Sequence, residues 1–463
     1  MNGSFFRNAR TLALTAGLFA LGGCSKDKPA VATATGPVTI IVNALPPETE
    51  AFQRQAYQED AKAFEAAHPD IKLDAREGRM DPRTFATKLA GGQLEDVFYV
   101  YFTDPAGLIA HKQVADITPY LEEFPAVKQL RPELMKIFTG PDGKVYGLPW
   151  TNYSMGLLYN RTLFTKAGLD PNNPPKTWAE VRAAAKKIAA LGNGIAGYGD
   201  YSKSNTGGWH FTAELYSIGG KVATKEGETW KAAFNDDKGK QVLQQLKEMR
   251  WTDNSMGARQ FLEWRDLVQM MASGNLGMYI ATSDNVPILV NQFKGDYKDY
   301  GLTTIPGDSG RDDAHPKGTL AGGDGFMFNA KASPEKIRAG LKWLTFKYDS
   351  PERISEQTKR WSEGKQPVGL PEGEPVSGIW IGDAAQKRTE ALHTFSTLPA
   401  ENYAPFVAGT GAVALELEPP VAQQLYAVLD TPMAKVLTDQ KADIGALLAD
   451  AEKQANTILA SVK

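Results

Sequence analysis

The sequence predicts an α/β layered fold divided between two domains. Short β-branched and aromatic runs alternate with helix-period segments over the first hundred residues. The 463 residues exceed what one hydrophobic core organises. After Leu21 no apolar run is long enough to span a bilayer, so the body folds in water.

The chain begins with Arg7 and Arg10, then an apolar run from Leu12 to Leu21 that ends in Leu21-Gly22-Gly23-Cys24. A charged lead, a short apolar stretch and small residues before a cut describe an export signal, here residues 1–23. Cys24 is the only cysteine. The Leu-Gly-Gly-Cys end resembles the bacterial lipobox, whose cysteine is lipidated and anchors the mature chain; an ordinary signal peptide that leaves a free thiol is the alternative. Residues 24–36 carry no aromatic or sustained apolar character and read as a flexible tether.

Val38–Val42 reads as a buried strand, and the apolar period from Phe52 to Ala67 as a helix closed by Pro69. Ile71–Asp74 alternates as a strand, Thr84–Ala90 is a helix ended by Gly91-Gly92, and Asp96–Tyr101 is the next strand. Thr177-Trp178-Ala179-Glu180 fits a capping box, and Trp178, Val181, Ala185, Ile188 and Leu191 form the inward stripe of the helix behind it. Ser273–Ile280 reads as a helix end and a strand, Pro306–Lys317 as a turn-rich connection, and Thr319–Phe328 as a glycine-punctuated strand. Ser333-Pro334 opens a helix whose core face is Ile337, Leu341 and Leu344. Gln366–Pro375, rich in Pro and Gly, marks a crossing between domains. Ile444–Leu459 is an amphipathic terminal helix, and no internal repeat is found.

Lys and Arg number 51 against 54 Asp and Glu, and the export signal removes two arginines and no acid, so nothing favours nucleic acid. The histidines (His68, His111, His210, His315, His393) lack ligand spacing, so no metal site is expected. No Gly-x-Ser-x-Gly elbow is present, and Ala321–Gly325 lacks the Gly-Lys-Ser/Thr of a phosphate loop. A glycoside hydrolase would need two carboxylates flanking a sugar bond, and no segment resembles a hydrolase motif. No catalytic residue and no cofactor are expected.

Several fragments share an order and spacing. They are Ala66-Ala67-His68-Pro69-Asp70-Ile71, Gly91-Gly92-Gln93-Leu94-Glu95-Asp96-Val97-Phe98, Tyr146-Gly147-Leu148-Pro149, and Tyr159-Asn160-Arg161-Thr162-Leu163-Phe164 followed by Ala167-Gly168-Leu169. Pro175-Lys176-Thr177-Trp178, Ser273-Gly274-Asn275 and Gly322-Gly323 complete the series. Over roughly residues 38–350 the chain resembles the extracellular solute-binding proteins of ABC importers, family 1, the sugar-binding group that includes the maltose-binding protein. The resemblance implies a two-lobed periplasmic-binding-protein-like fold with a three-segment hinge and an interlobe ligand cleft. Lobe 1 would comprise 37–148 and 319–368, lobe 2 149–318 and 369–463. It further implies a monomer, extracytoplasmic and tethered to a bacterial membrane through Cys24, that captures a mono- or oligosaccharide and delivers it to an ABC permease.

A sugar presents an apolar C–H face and a rim of hydroxyls, so its site needs aromatic plates and planar polar groups. The resemblance places hydroxyl-binding groups at Tyr101, Thr103 and Asp104, where Asp104 serves equally as a helix cap. Past the first crossing come Trp150, Asn152 and Tyr153. Trp209 is a candidate plate or a core residue, and His210 a weaker candidate. After Met278–Ala281 the family's usual glycine and tryptophan are replaced by Thr282-Ser283-Asp284-Asn285, which offers Asp284 as an acceptor. At the second crossing Gly323 would let backbone approach a ligand and Asp324 would accept hydroxyls. Trp264 and Trp361 read as packing. The same fold binding a polyamine, held by Asp104, Asp284 and Asp324, or another small solute is the alternative.

Overall fold

The computed structural model describes residues 36–79, 82–308, 316–347, 350–371 and 378–462. The expected export signal, most of the expected tether and Cys24 lie outside the described residues. Strands β1 (Val38–Leu45), β2 (Ile71–Glu77), β3 (Val97–Tyr101), β4 (Gly147–Asn160) and β5 (Ala196–Tyr198) are followed by the hairpin β6 (Ala223–Glu226) and β7 (Thr229–Ala232). Then come β8 (Leu276–Thr282), β9 (Tyr300–Thr304), β10 (Thr319–Phe328) and β11 (Leu415–Leu417). Apart from the hairpin they pair in the order β2-β1-β3-β10-β4-β8-β5, with β11 on β10 and β9 on β4. The β1, β2 and β3 pairings are parallel, whereas β10 runs antiparallel to β3 and β4.

Both faces of each half of the sheet are covered, which is why these strands read as continuous apolar runs rather than alternations. On one face of the first half, Val97 and Tyr99 pack with Ile40, Val42, Leu148 and Phe326 beneath the helices Ala51–Ala67 and Pro334–Lys347. Phe98 and Val100, pointing the other way, pack with Phe138 and Met327. In the second half Leu157 and Tyr159 join Trp178, Met278 and Ile280, while Leu158 joins Tyr279, Leu267 and Leu302 on the reverse face.

Two strands pass from one half to the other. β4 gives Leu148 to the first core and Met155 onward to the second, and β10 gives Leu320 to the second and Phe326 to the first. The changeover falls at a register irregularity between Asp324 and Gly325. This is the two-lobed architecture the sequence resemblance implies. One boundary is corrected. The sequence places 369–463 in lobe 2, yet Ile379, Trp380 and Ala384 are buried in the first core, and Arg131 N donates to Ile379 O at 2.8 Å. Val368 and Gly369 do touch the second half, Gly369 O accepting from the Tyr297 hydroxyl at 2.8 Å, but the chain then returns to bury a tryptophan before Leu398 and Tyr403 join the second half for good.

The cap at Thr177 forms as expected: Thr177 Oγ1 accepts from Glu180 N, Glu180 Oε2 accepts from Thr177 N, and Trp178 is buried with its indole N–H on Ser217 Oγ at 2.9 Å. Ser333 accepts from Lys336 N ahead of the Pro334 helix. The terminal helix spans Ile444–Leu459 behind an Asp443 cap. Among the described residues no helix is long and apolar enough to cross a membrane.

Candidate functional site

The changeover of β4 and β10 gathers most of the candidate residues. Register places Asp324 opposite Tyr101 on β3 and opposite Thr151 on β4, a single row across three strands. Thr151 Oγ1 donates to Asp324 Oδ2 at 3.0 Å. One step along, Gly323 faces Asn152 and Gly322 faces Tyr153. A Cβ on Gly322 would strike the Tyr153 ring, and one on Gly323 would strike the Thr151 carbonyl and the Phe102 ring. Close packing between β4, β10 and Phe102 therefore requires glycine at 323.

Asp104 precedes the helix Pro105–Ala110 but makes no side-chain cap bond; its Oδ2 instead accepts from Tyr101 N at 2.8 Å. The carboxyl is turned back toward the end of β3, and the capping alternative falls away. Burial pushes its pKa up to about 7 against the pull of the Tyr101 N–H, with the Asp324 charge adding to the rise and the neighbouring Thr103 hydroxyl opposing it. Asp324 is also raised, first by burial; Arg79 and the Tyr99 and Thr151 hydroxyls hold it down, and Asp284 pushes it up.

Arg79 escaped the sequence reading. It follows Gly78, whose φ of 93° turns the chain after β2, and its guanidinium lies 5.5 Å from the Trp150 ring centroid and 5.7 Å from that of Tyr99. Burial opposes its charge, but Tyr99, Asp324, Tyr101 and Glu50 around it raise its pKa overall. The side chain is nonetheless open to solvent, and a cation surrounded by protein yet wetted marks a recess rather than a core.

Trp150 is half-buried, edge-on to Tyr99 and tilted against Phe326. Tyr153 meets Trp209 edge-on at 6.1 Å, and Trp209 lies parallel to Tyr201. Trp209 thus packs on both second-half cores while remaining half-exposed. His210 beside it is core, with Nδ1 2.6 Å from Asp200 Oδ1. Asn152 Oδ1 is buried without a hydrogen-bond partner among the described residues. Asp284 is exposed and accepts from the Thr282 hydroxyl; its charge reaches both Asp324 and Tyr153.

Glu418 is the second residue the sequence reading missed. It follows β11 and accepts from the Tyr426 hydroxyl at 3.0 Å. Burial pushes its pKa up to about 8 against that hydrogen bond, and the charges of Asp104 and Asp324 add to the rise. Three carboxyls, from the end of β3, from β10 and from beyond β11, therefore share one field with one arginine and a set of aromatic faces. Among the described residues no group of three or more His, Cys, Asp or Glu could hold a metal ion. Such a recess can stack an apolar face and accept or donate hydrogen bonds around a polar rim.

Comparisons with known proteins bear on the family and the fold. A binding protein of Brucella abortus (strain 2308) is 25% identical over 401 residues, covering 85% of this chain and 89% of its own. The sn-glycerol-3-phosphate-binding periplasmic protein UgpB of the same strain is 46% identical over 70 residues, 15% of this chain and 16% of its own. An ABC transporter solute-binding protein from Thermotoga lettingae, solved with α-D-tagatose, superposes with a TM-score of 0.70 at 23% identity, covering 92% of this chain and 100% of its own. The model of the bacterial extracellular solute-binding proteins matches residues 49–347, a span that holds both changeover strands and every candidate ligand residue named from the sequence. With two cores joined by shared strands and a polar, aromatic recess where they meet, the chain belongs to that family of bacterial extracellular solute-binding proteins.

Proposed function

We propose that the protein captures a mono- or oligosaccharide between its lobes and hands it to an ABC permease. The observation that carries this reading is the set of side chains around the changeover: Asp324 on β10, Asn152 on β4 and Asp104 just past β3 supply planar polar groups, and Trp150, Tyr153 and Trp209 supply half-buried rings. That pairing matches the two chemical faces of a sugar. The tagatose-bound relative of the same fold supports it. Tyr101, Thr103 and Asp284 complete the proposed contacts, with Arg79 and Glu418 added. Cys24 is the proposed lipid anchor, and the protein acts as a monomer without catalysis.

A second reading rests on Arg79 and on the glycerol-3-phosphate-binding relatives: a polyol phosphate whose anion meets the Arg79 guanidinium. Thermal unfolding in the presence of D-tagatose, maltose, sn-glycerol 3-phosphate and spermidine separates the readings. A ligand at ~100 times its dissociation constant adds about 2.7 kcal/mol to stability. A rise with either sugar supports the carbohydrate reading; a rise only with the phosphate or only with spermidine replaces it.

A further inference from the structure

We infer that Glu50 and Arg265 form a clasp at the rim of the cleft, and that these two positioning residues set how long a ligand is held without touching it. Glu50 immediately precedes the helix Ala51–Ala67, which packs on the first core through Tyr57 and Phe64. Arg265 lies in the helix Trp264–Ala272, which packs on the second half through Leu267, Val268 and Met271. The two halves are nevertheless tied here. Arg265 Nη2 donates to Glu50 Oε1 at 2.5 Å, its Nη1 reaches Thr49 Oγ1 at 3.5 Å, and Gln292 Nε2 donates to Thr49 O at 3.2 Å. These bonds span more than two hundred residues of sequence and lie apart from the strands that join the halves.

The clasp borders the cleft on both sides. Glu50 contributes to the field on Arg79, which lies over Trp150. Trp264, next to Arg265, donates its indole N–H to Asn285 Oδ1 at 2.9 Å, and Asn285 adjoins Asp284. The Arg265 side chain is 50% exposed and that of Glu50 15%, so water and salt reach the pair. On the same segments Gln53 Oε1, Asn291 Oδ1 and Gln292 Oε1 are buried without hydrogen bonds among the described residues. Opening would hydrate those oxygens, so closure here carries a desolvation cost that the ion pair offsets only in part. The pair thus lowers the cost of closing without removing it, and leaves a ligand to complete closure.

The inference rests on the two-lobe closing reading and not on which solute is bound, so the test begins without ligand. Small-angle X-ray scattering of the ligand-free protein is expected to show a larger radius of gyration in Glu50→Arg and in Arg265→Glu than in the parent. The double exchange Glu50→Arg with Arg265→Glu restores the pair and should return the parent value, and 0.5 M salt should expand the parent as well. The milder Glu50→Gln covers the case in which a reversed charge prevents folding. For whichever of D-tagatose, maltose or sn-glycerol 3-phosphate binds, the single variants should dissociate about five-fold faster with little change in association. Unchanged scattering in both folded single variants, or an expansion that the double exchange does not reverse, overturns the clasp whatever the solute proves to be.

Discussion

At the scale of single residues, the cleft carboxyls govern how the protein responds to pH. Asp104 and Glu418 hold their protons to about 7 and about 8, chiefly because burial disfavours the charged form. In the unfolded chain both would release protons near pH ~4. Between those values the folded state binds more protons than the unfolded one, so ligand-free stability should fall as pH rises from about 4 toward about 8. Melting temperatures from pH 5 to 8 are expected to decline in the parent and to decline less in Asp104→Asn and Glu418→Gln; a parent curve that rises across this window would contradict the assignment. For binding, Asp324→Ala and Trp150→Ala should each weaken capture by about 2–4 kcal/mol, the first by removing a hydroxyl acceptor that also faces Arg79 and the second by removing a central aromatic. Calorimetry with a ligand found by the thermal screen measures this, and parent-like affinity in both would move the site elsewhere.

At the scale of elements, the changeover tolerates little. Gly323→Ala places a methyl against the Thr151 carbonyl and Phe102, and should cost about 1–3 kcal/mol in a denaturant titration. Near the far end of the second half, Arg182 donates to Asp253 Oδ1 at 3.0 Å and is also paired with Glu248, while the Asp253 side chain is 1% exposed. Arg182→Ala leaves Lys186, at 3.3 Å, as the remaining partner and should destabilise by about 2–4 kcal/mol. The helices found from sequence were those with local punctuation, such as the Thr177 box, the Ser333-Pro334 start and the period of Ile444–Leu459. The helix Thr206–Ser217 escaped because it is buried on nearly every side, which erases the periodicity that would announce it. Strand β11 and with it Glu418 escaped for another reason: the pairing partner of Leu415 is Thr319, almost a hundred residues away. Arg79 was invisible as one arginine in a turn, since only the fold brings it over Trp150. Most of the candidate row at β4 and β10 was legible because family motifs flank it, and the Pro- and Gly-rich stretch misplaced the third boundary because composition marks a bend without saying which core follows.

At the scale of the molecule, each core is assembled from distant parts of the chain. The first needs Ile40 and Val42 from the beginning, Leu148 from β4, Phe326 from β10 and Trp380 from late in the sequence. The second is completed by Leu429, Met433 and Leu448 near the end. A chain truncated after Leu370 should therefore lose cooperative unfolding altogether, a broad and sloping thermal trace in place of a sigmoid; a sharp transition in that fragment would show that one half is self-sufficient. Proteins of an extracellular family have to cross a membrane, and a chain that crosses as an open thread folds only afterwards. Because Trp380 follows Ile40 by some three hundred and forty residues, the emerging N-terminal strands have no finished core to collapse into while the remainder is still being translocated. The same interleaving that lets two strands serve as a hinge thus postpones folding until the late segments are present, a delay that suits a chain bound for the far side of a membrane.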